Sequence, residues 1–440
     1  MSKKILVVGN GAREHAICKA ILRSPQDAEV VTISTANNPG ILDLAKEVYV
    51  VDSLLDFDFL KEVAQKEQPD FAIIGPDDPI AMGASDALLE LGIKSVAPTK
   101  SLARLESSKS FTRNLLDKYE IRANPDFRVF TSEEGMMEYA ESLGKIVVKY
   151  DGLAGGKGVK VQDDHFKTIE EGVRYAKECL RELGVVVIEE KLEGQEFSAM
   201  FFADGVSLKK MPIIQDNKRA FEDDKGENTG GMGTVSDVSG SLPFLTEQDT
   251  KEAEDITFKV MQALEKECGE RFKGIMYGGF IATKNGVRLI EYNARFGDPE
   301  AMNALCLLEG DFVEICEAVI NEGLDKIEVG FEEKATVCKY IVPEGYPENP
   351  VKNKAVEIDY DRIPAGIEIH FASVDEQEGV LYLKGSRAIA FVAKADDIYM
   401  AEKMAEEACS SVKGAVFHRT DIGTRTLIEK KIKHMKCLRA

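Results

Sequence analysis

In VRLIEYNARFGDPE, residues 287–300, strand periodicity of two places Glu291, Asn293 and Arg295 on one face and Ile290, Tyr292 and Ala294 on the other. A carboxylate beside an amide oxygen is a hard ligand pair suited to magnesium, which keeps several waters and borrows oxygens from substrate phosphates. Arg295, one pleat further on, can neutralise charge on a transferring phosphoryl group. The competing reading is a solvated edge strand carrying a weak surface ion pair. It is disfavoured because the strand runs directly into Gly297-Asp298-Pro299, a turn that stops this face from continuing as a regular ladder.

Three glycine-rich segments could hold anionic or small polar ligands. Gly9-Asn10-Gly11-Ala12-Arg13-Glu14-His15 follows an expected strand and opens an expected helix, where backbone N–H groups and the helix dipole attract an anion. Glu14 stands where a dinucleotide fingerprint has its third glycine, so NAD binding is the weaker reading, and Arg13 favours a phosphate monoester. Asp151-Gly152-Leu153-Ala154-Gly155-Gly156-Lys157-Gly158 has Gly158 where a Walker A loop has Ser or Thr, and it lies between two strands. It reads as a hairpin tip able to close over triphosphate oxygens, with Lys157 adding charge and Lys149 on the strand before it. Gln215-Asp216-Asn217-Lys218-Arg219, continued by Gly226-Glu227-Asn228-Thr229-Gly230-Gly231-Met232-Gly233, places Lys218, Arg219, Asn228 and Thr229 beside glycine backbone, which suits a small polar substrate. The histidines carry no metal or catalytic spacing: His15 belongs to the first loop, and His165, His370, His418 and His434 stand alone.

The elements that must position these groups follow from the apolar pattern. Over the first hundred residues, aliphatic runs such as KILVVG and DFAIIG alternate with amphipathic stretches, which points to a parallel, doubly wound, Rossmann-like sheet at 1–104. The segment SLARLESSKSFTRNLLDKY reads as one long polar helix linking to a small antiparallel lobe around a single helix, 105–192. A larger lobe at 193–324 has strands FSAMFFAD, LKKMPIIQ, YGGFIAT and VRLIEYN with two helices, and 325–440 reads as an α+β cap ending in the helix DIYMAEKMAEEACSSV. The whole is an α/β and α+β multidomain chain.

Composition narrows the function classes. At 440 residues and 44% apolar the chain can bury several cores, and no apolar run approaches the length needed to span a bilayer. A formal charge of −21 argues against non-specific nucleic-acid binding and offers nothing to an anionic membrane. Eight scattered cysteines without a CxxC pair suit free thiols in a reducing, cytoplasmic compartment.

Taken in order, GNGAREH, IGPDDP, ESSKSFTRNLL, VVKYDGLAGGKGV, IEEKLEGQEFS, QDNKRAFEDDKGENTGGMG and LIEYNARFGDPE resemble the phosphoribosylamine-glycine ligase family, also called glycinamide ribonucleotide synthetases, over the whole chain. The resemblance implies a pre-ATP-grasp domain, a two-lobed ATP-grasp module and a small carboxy-terminal domain. It implies ATP and Mg2+ or Mn2+, the small-molecule substrates glycine and 5-phosphoribosylamine, and a glycyl phosphate intermediate. By the same resemblance Lys109, Lys149 and the flap Gly155, Gly156, Lys157 and Gly158 contact ATP. Glu189, Glu190, Lys191 and Leu192 form the strand whose backbone reads adenine, and Glu196 is the ribose acid. Glu291 and Asn293 match the metal ligands. Gly9, Asn10, Gly11, Arg13 and Glu14 face the phosphoribosyl group; Asp216, Arg295, Gly297 and Asp298, with Lys218, Arg219, Asn228, Thr229 and Gly230, line the glycine and acyl-phosphate site, Arg295 and Asp216 as catalytic groups. The sequence departs from that pattern at Ala12, Tyr150, Asn217 and Gly279, the last where many ATP-grasp proteins place a first metal carboxylate. Another ATP-grasp carboxylate-amine ligase with a different acceptor is the alternative.

Overall fold

The computed structural model describes residues 2–155 and 158–440. Gly156 and Lys157, two of the expected flap residues, lie outside the described residues. The first domain is a five-stranded parallel sheet in the order Glu47–Val50, Ala28–Ser34, Lys3–Val8, Phe71–Ile74, Ser95–Val96. Its central strands are buried aliphatic runs, Ile5 to Val8 and Phe71 to Ile74, as expected where helices cover both faces. The chain leaves Lys3–Val8 towards one edge and Phe71–Ile74 towards the other, so the loops at Gly9 and Gly75 open a crevice between them.

The expected single linker helix is two, Lys100–Ser107 and Lys109–Lys118. Ser108 is extended, and its Oγ accepts from the Phe111 N–H at 3.1 Å, capping the second helix. The break brings Glu106 and Lys109 to the large lobe's last strand. The small lobe is a four-stranded antiparallel sheet, Phe127–Phe130, Val186–Glu190, Ile146–Tyr150, Val159–Val161, with two helices rather than one, Met136–Leu143 and Ile169–Leu183. It has its own core around Met136, Ile146, Val173 and Ile188, which suits a body that moves as a unit.

The large lobe is antiparallel, in the order Leu208–Lys210, Gln195–Ala203, Gly274–Thr283, Gly286–Asn293, and it carries three helices, Glu247–Cys268, Glu300–Leu307 and Phe312–Asn321, where two were expected. LKKMPIIQ, expected as one strand, divides at Met211-Pro212, since proline cannot donate to a ladder. Its end, Gln215–Asp216, joins Gly233–Ser236, Ala335–Pro343, Ile389–Ala395 and Glu368–Phe371 in a sheet that crosses the 324/325 division. One apolar core runs from Ile5 and Ile17 through Phe202 and Met302 to Val337 and Val392, so first domain, large lobe and cap form one packed body. A last helix, Arg425–Arg439, absent from the sequence reading, packs Met435 into the large-lobe core. No helix among the described residues is long and apolar enough to cross a membrane.

Candidate active site

A bulge at Ile290 builds the site. Gly279 pairs with Glu291 but Phe280 pairs with Leu289, leaving Ile290 as the extra residue. The insertion changes parity: Val287 and Leu289 face the core before it and Tyr292 after it, so Glu291 and Asn293 turn together to the other face. The Ile290 carbonyl accepts from Lys149 Nζ at 2.6 Å and from Arg113 Nη2 at 2.8 Å.

Four cations attend Glu291. Lys109 Nζ lies 3.7 Å and Lys218 Nζ 3.9 Å from its carboxylate, with Lys149 and Arg295 beyond. Burial alone would raise this carboxyl, but the four charges outweigh it and hold the pKa at about 2. Lys149, on Ile146–Tyr150, is itself buried and 2.9 Å from Glu189, which Arg113 grips from Nε at 2.6 Å and Nη2 at 3.0 Å. Burial pulls the Lys149 ammonium down to about 8 against the attraction of Glu189.

Arg295 donates from Nη2 to Asn293 Oδ1 at 3.1 Å and pairs with Glu106 at 3.0 Å, while Nη1 donates to the Phe296 carbonyl at 3.1 Å. Arg13, from the first glycine loop, donates to that same carbonyl at 3.3 Å. Two guanidinium groups therefore meet at one oxygen, each with a carboxylate partner of its own, Glu14 for Arg13 and Glu106 for Arg295. Arg295 Nε is buried and has no partner among the described residues; neither has Asp216 Oδ1. That oxygen is a buried acceptor without a donor; burial and the neighbouring Glu300 push the Asp216 carboxyl up, and a cation beside it would oppose both. The wall around it is close: a Cβ on Gly231, whose φ is +112°, would lie 2.6 Å from Asp216 Oδ1.

The remaining expected residues divide by what their polar groups already hold. Asp298 Oδ1 accepts from Tyr340 Oη at 2.7 Å, and Arg387 of the cap donates to the carbonyls of Gly230, Gly231 and Asp298, so the cap fixes this wall of the site. Thr229 Oγ donates to the Lys218 carbonyl at 2.8 Å and accepts from the Gly231 N–H at 3.0 Å, shaping the loop. Arg219 turns from the site to Asp164 of the small lobe at 2.8 Å and to the Gly226 carbonyl, opposite Asn228. Gly297 is needed as glycine because a Cβ there would sit 2.3 Å from Glu300 Oε2.

The first loop differs from its expected role as an anion nest. Gly11 N–H donates to Glu14 Oε2 at 2.6 Å and Arg13 Nε to Glu14 Oε1 at 2.6 Å, so the chain's own carboxylate caps the helix start. Gly9 and Gly75 make room for it: a Cβ at Gly75 would fall 1.8 Å from Glu14 Oε1. Asn10 Oδ1 accepts from Thr35 Oγ1 at 3.0 Å, tying neighbouring loops. His370, expected to stand alone, packs edge-on against His15 with ring centroids 5.3 Å apart.

In the small lobe, Glu190 Oε1 accepts from the Asp126 N–H at 2.9 Å, and Lys191 Nζ is directed to the Gln162 carbonyl. The N–H groups of Glu190 and Lys191 donate to the Asp126 and Lys145 carbonyls. Glu196 is exposed at the start of Gln195–Ala203, and its charge reaches Lys218. Gly155 has φ +54° with open space around it, and the Gly158 carbonyl accepts from the Tyr150 N–H at 2.9 Å. Sequence reasoning missed Glu106, Arg113, Glu300, Tyr340 and Arg387. Glu106 and Arg113 stood inside a quoted motif, in a segment that read as one polar linker helix; Arg387 had no local signal.

Comparison with known proteins covers most of the chain. Residues 3–106, 107–301 and 336–425 match the N, ATP-grasp (A) and C domains of phosphoribosylglycinamide synthetase. The chain belongs to the phosphoribosylglycinamide synthetase family. It is an ATP-grasp ligase of purine biosynthesis. Phosphoribosylamine--glycine ligases of Methanocaldococcus jannaschii and Methanocella arvoryzae are 47% and 44% identical to it, each over 99% of this chain and 100% of the relative. The crystal structure of the Thermotoga maritima phosphoribosylamine--glycine ligase superposes with TM-score 0.78 at 28% identity, covering 95% of this chain and 100% of that one. The biotin carboxylase domain of Hydrogenobacter thermophilus 2-oxoglutarate carboxylase, crystallised with MgADP, ADP and bicarbonate, shares the fold with TM-score 0.72 at 16% identity, over 99% of this chain and 94% of that one.

A synthetase of this family implies a divalent cation, and the residues fit one. Glu291 and Asn293 present two oxygens on one face, a donor set suited to an ion that takes its remaining ligands from phosphate and water. Gly279 stands directly across from Glu291, with its Cβ position 3.7 Å from Glu291 Cγ, and adds no carboxylate.

Proposed function

We propose that the chain ligates glycine to 5-phosphoribosylamine at the expense of ATP, giving glycinamide ribonucleotide, ADP and phosphate through glycyl phosphate. The observation that carries this reading is the ring of Lys109, Lys149, Lys218 and Arg295 about Glu291, beside the unpartnered Asp216 Oδ1 and Arg295 Nε. Glycine has one group for each: the ammonium for Asp216, the carboxylate for Arg295.

Glycine's carboxylate cannot acylate an amine until its oxygen becomes a leaving group, and ATP supplies that by phosphorylation. Lys109 and Lys218 neutralise the phosphate chain, while Glu196 takes the ribose hydroxyls and the run Glu189 to Leu192 reads adenine through its backbone. Mg2+ or Mn2+ bound at Glu291 and Asn293 would supply charge to the transferring phosphoryl group. Arg295 holds the carboxylate in line with the γ-phosphorus, so positioning and charge stabilisation do most of the catalysis. The phosphoribosyl group enters at the Gly9 to Glu14 crevice, where Arg13 reaches towards Arg295. Its amine attacks the glycyl carbonyl and phosphate leaves. The Gly155 to Gly158 flap excludes water from both labile species.

The test is ADP release in a coupled assay. Release should require glycine and phosphoribosylamine together, and turnover with another amino acid or another amine in place of either at equal rate sinks the proposal.

A further inference from the structure

The last helix, Arg425–Arg439, carries a lysine that the site described above does not use. Lys431 is buried, 7% exposed, and its Nζ donates to Gln215 Oε1 at 2.8 Å and to Asn217 Oδ1 at 3.1 Å. Those residues flank Asp216. In extended chain, side chains one and three of a triplet share a face and the middle one takes the other, so an ammonium gripping Gln215 and Asn217 from behind commits Asp216 to the site. Gln215 continues the chain of contacts: its Nε2 donates to the Glu196 carbonyl at 3.0 Å. Asn217 Nδ2 donates to the Gly233 carbonyl at 3.1 Å, and the Met232 N–H donates to the Asn217 carbonyl at 2.9 Å, so the loop carrying Gly231 hangs on the same anchor.

The cost of this arrangement argues for a purpose. Burying an ammonium is expensive unless it is fully partnered, and among the described residues Lys431 has only neutral oxygens in direct contact. Asp224, Asp421 and Asp216 attract it and Arg419 repels it from further off, and burial draws its pKa down to about 8. A leucine or methionine would fill this space more cheaply if packing were all that is required. The helix is held independently by Ile428 and Met435 in two separate cores.

We propose that Lys431 is a positioning residue for the amino-acid substrate, acting from the carboxy-terminal helix through Gln215 and Asn217 to aim Asp216 at the glycine ammonium. The inference rests on reading Asp216 as the ammonium's partner, and the two can fail separately.

The experiment measures KM for glycine and for ATP, with melting temperature, in Lys431→Met, Asn217→Leu, Asp216→Asn and the double variant K431M/D216N. Losing a charge-assisted hydrogen bond that orients a binding group should raise the glycine KM about tenfold in K431M, with the ATP KM within about threefold of wild type. N217L, which removes an acceptor instead of the donor, should shift the same constant and serves should K431M fail to fold. In the double variant, K431M should add less than about twofold to the effect of D216N, because its route runs through Asp216. Equal rises in both KM values, an unchanged glycine KM in both K431M and N217L, or full additivity overturns the proposal. An unchanged glycine KM in D216N instead removes Asp216 as the ammonium's partner.

Discussion

Lys149 Nζ donates to the Ile290 carbonyl at 2.6 Å, joining the strand Ile146–Tyr150 to the bulged residue that precedes Glu291 and Asn293. The same ammonium is 2.9 Å from Glu189, so one buried cation ties the small lobe to the large one in the cleft proposed for the nucleotide. Replacing it with methionine leaves both Glu189 and the Ile290 carbonyl to Arg113 alone. Lys149→Met should raise the ATP KM at least about tenfold, a loss of one charge-assisted contact, and initial-rate kinetics at saturating glycine would read it. An unchanged ATP KM removes Lys149 from the nucleotide site.

Glu291 gathers the four cations without adding to the packed core, since its side chain is 23% exposed. Glu291→Ala should therefore fold normally, by circular dichroism and melting, yet lose about a thousandfold or more in kcat with Mg2+ or Mn2+ present. Wild-type turnover in that variant would refute its role as a ligand.

Glu106 is buried and holds both Arg295, at 3.0 Å, and the Ala294 N–H, at 2.8 Å. Glu106→Gln keeps an acceptor for one but strips the other of its counter-charge. Expected are a stability loss of about 3 kcal/mol, as for a broken buried pair, and about a tenfold fall in kcat/KM for glycine because Arg295 is no longer held. Denaturant titration beside steady-state kinetics checks both; a variant that is as stable and as active as wild type would dismiss the pairing as incidental.

His15 gives the chain an acid limit. Burial lowers its pKa from 6.5 to about 2, helped by His370 and Lys19 and opposed by Glu368, and its Nδ1 accepts from the Phe371 N–H at 3.0 Å, which requires the neutral ring. The unfolded chain binds the proton and the folded chain does not, so this contribution is complete above about pH 6.5 and is lost as pH falls from there towards about 2. The slope is about 1.4 kcal/mol per pH unit for one such group. His15→Gln should flatten the decline measured between pH 6.5 and 5, and an unaltered slope would show that His15 is not the group responsible.

By itself the sequence determined which residue types carry the chemistry and which local shapes present them. Strand parity set Glu291 and Asn293 side by side, glycine spacing located the loops, and alternation of apolar runs pointed to the parallel sheet and the small antiparallel lobe, because each of these depends only on near neighbours along the chain. Boundaries failed where a single residue overrode a pattern, as when Ser108 split a helix by capping its second half and Pro212 ended a strand. Only the tertiary structure decided what each charged group meets. That Arg13 and Arg295 share a carbonyl, that Arg387 and Lys431 reach the loops around Asp216 from the cap, and that a bulge at Ile290 reverses the strand's faces all join residues distant in the chain or depend on ladder register. Burial and partnering set the energy of a charge, and neither exists until the domains pack.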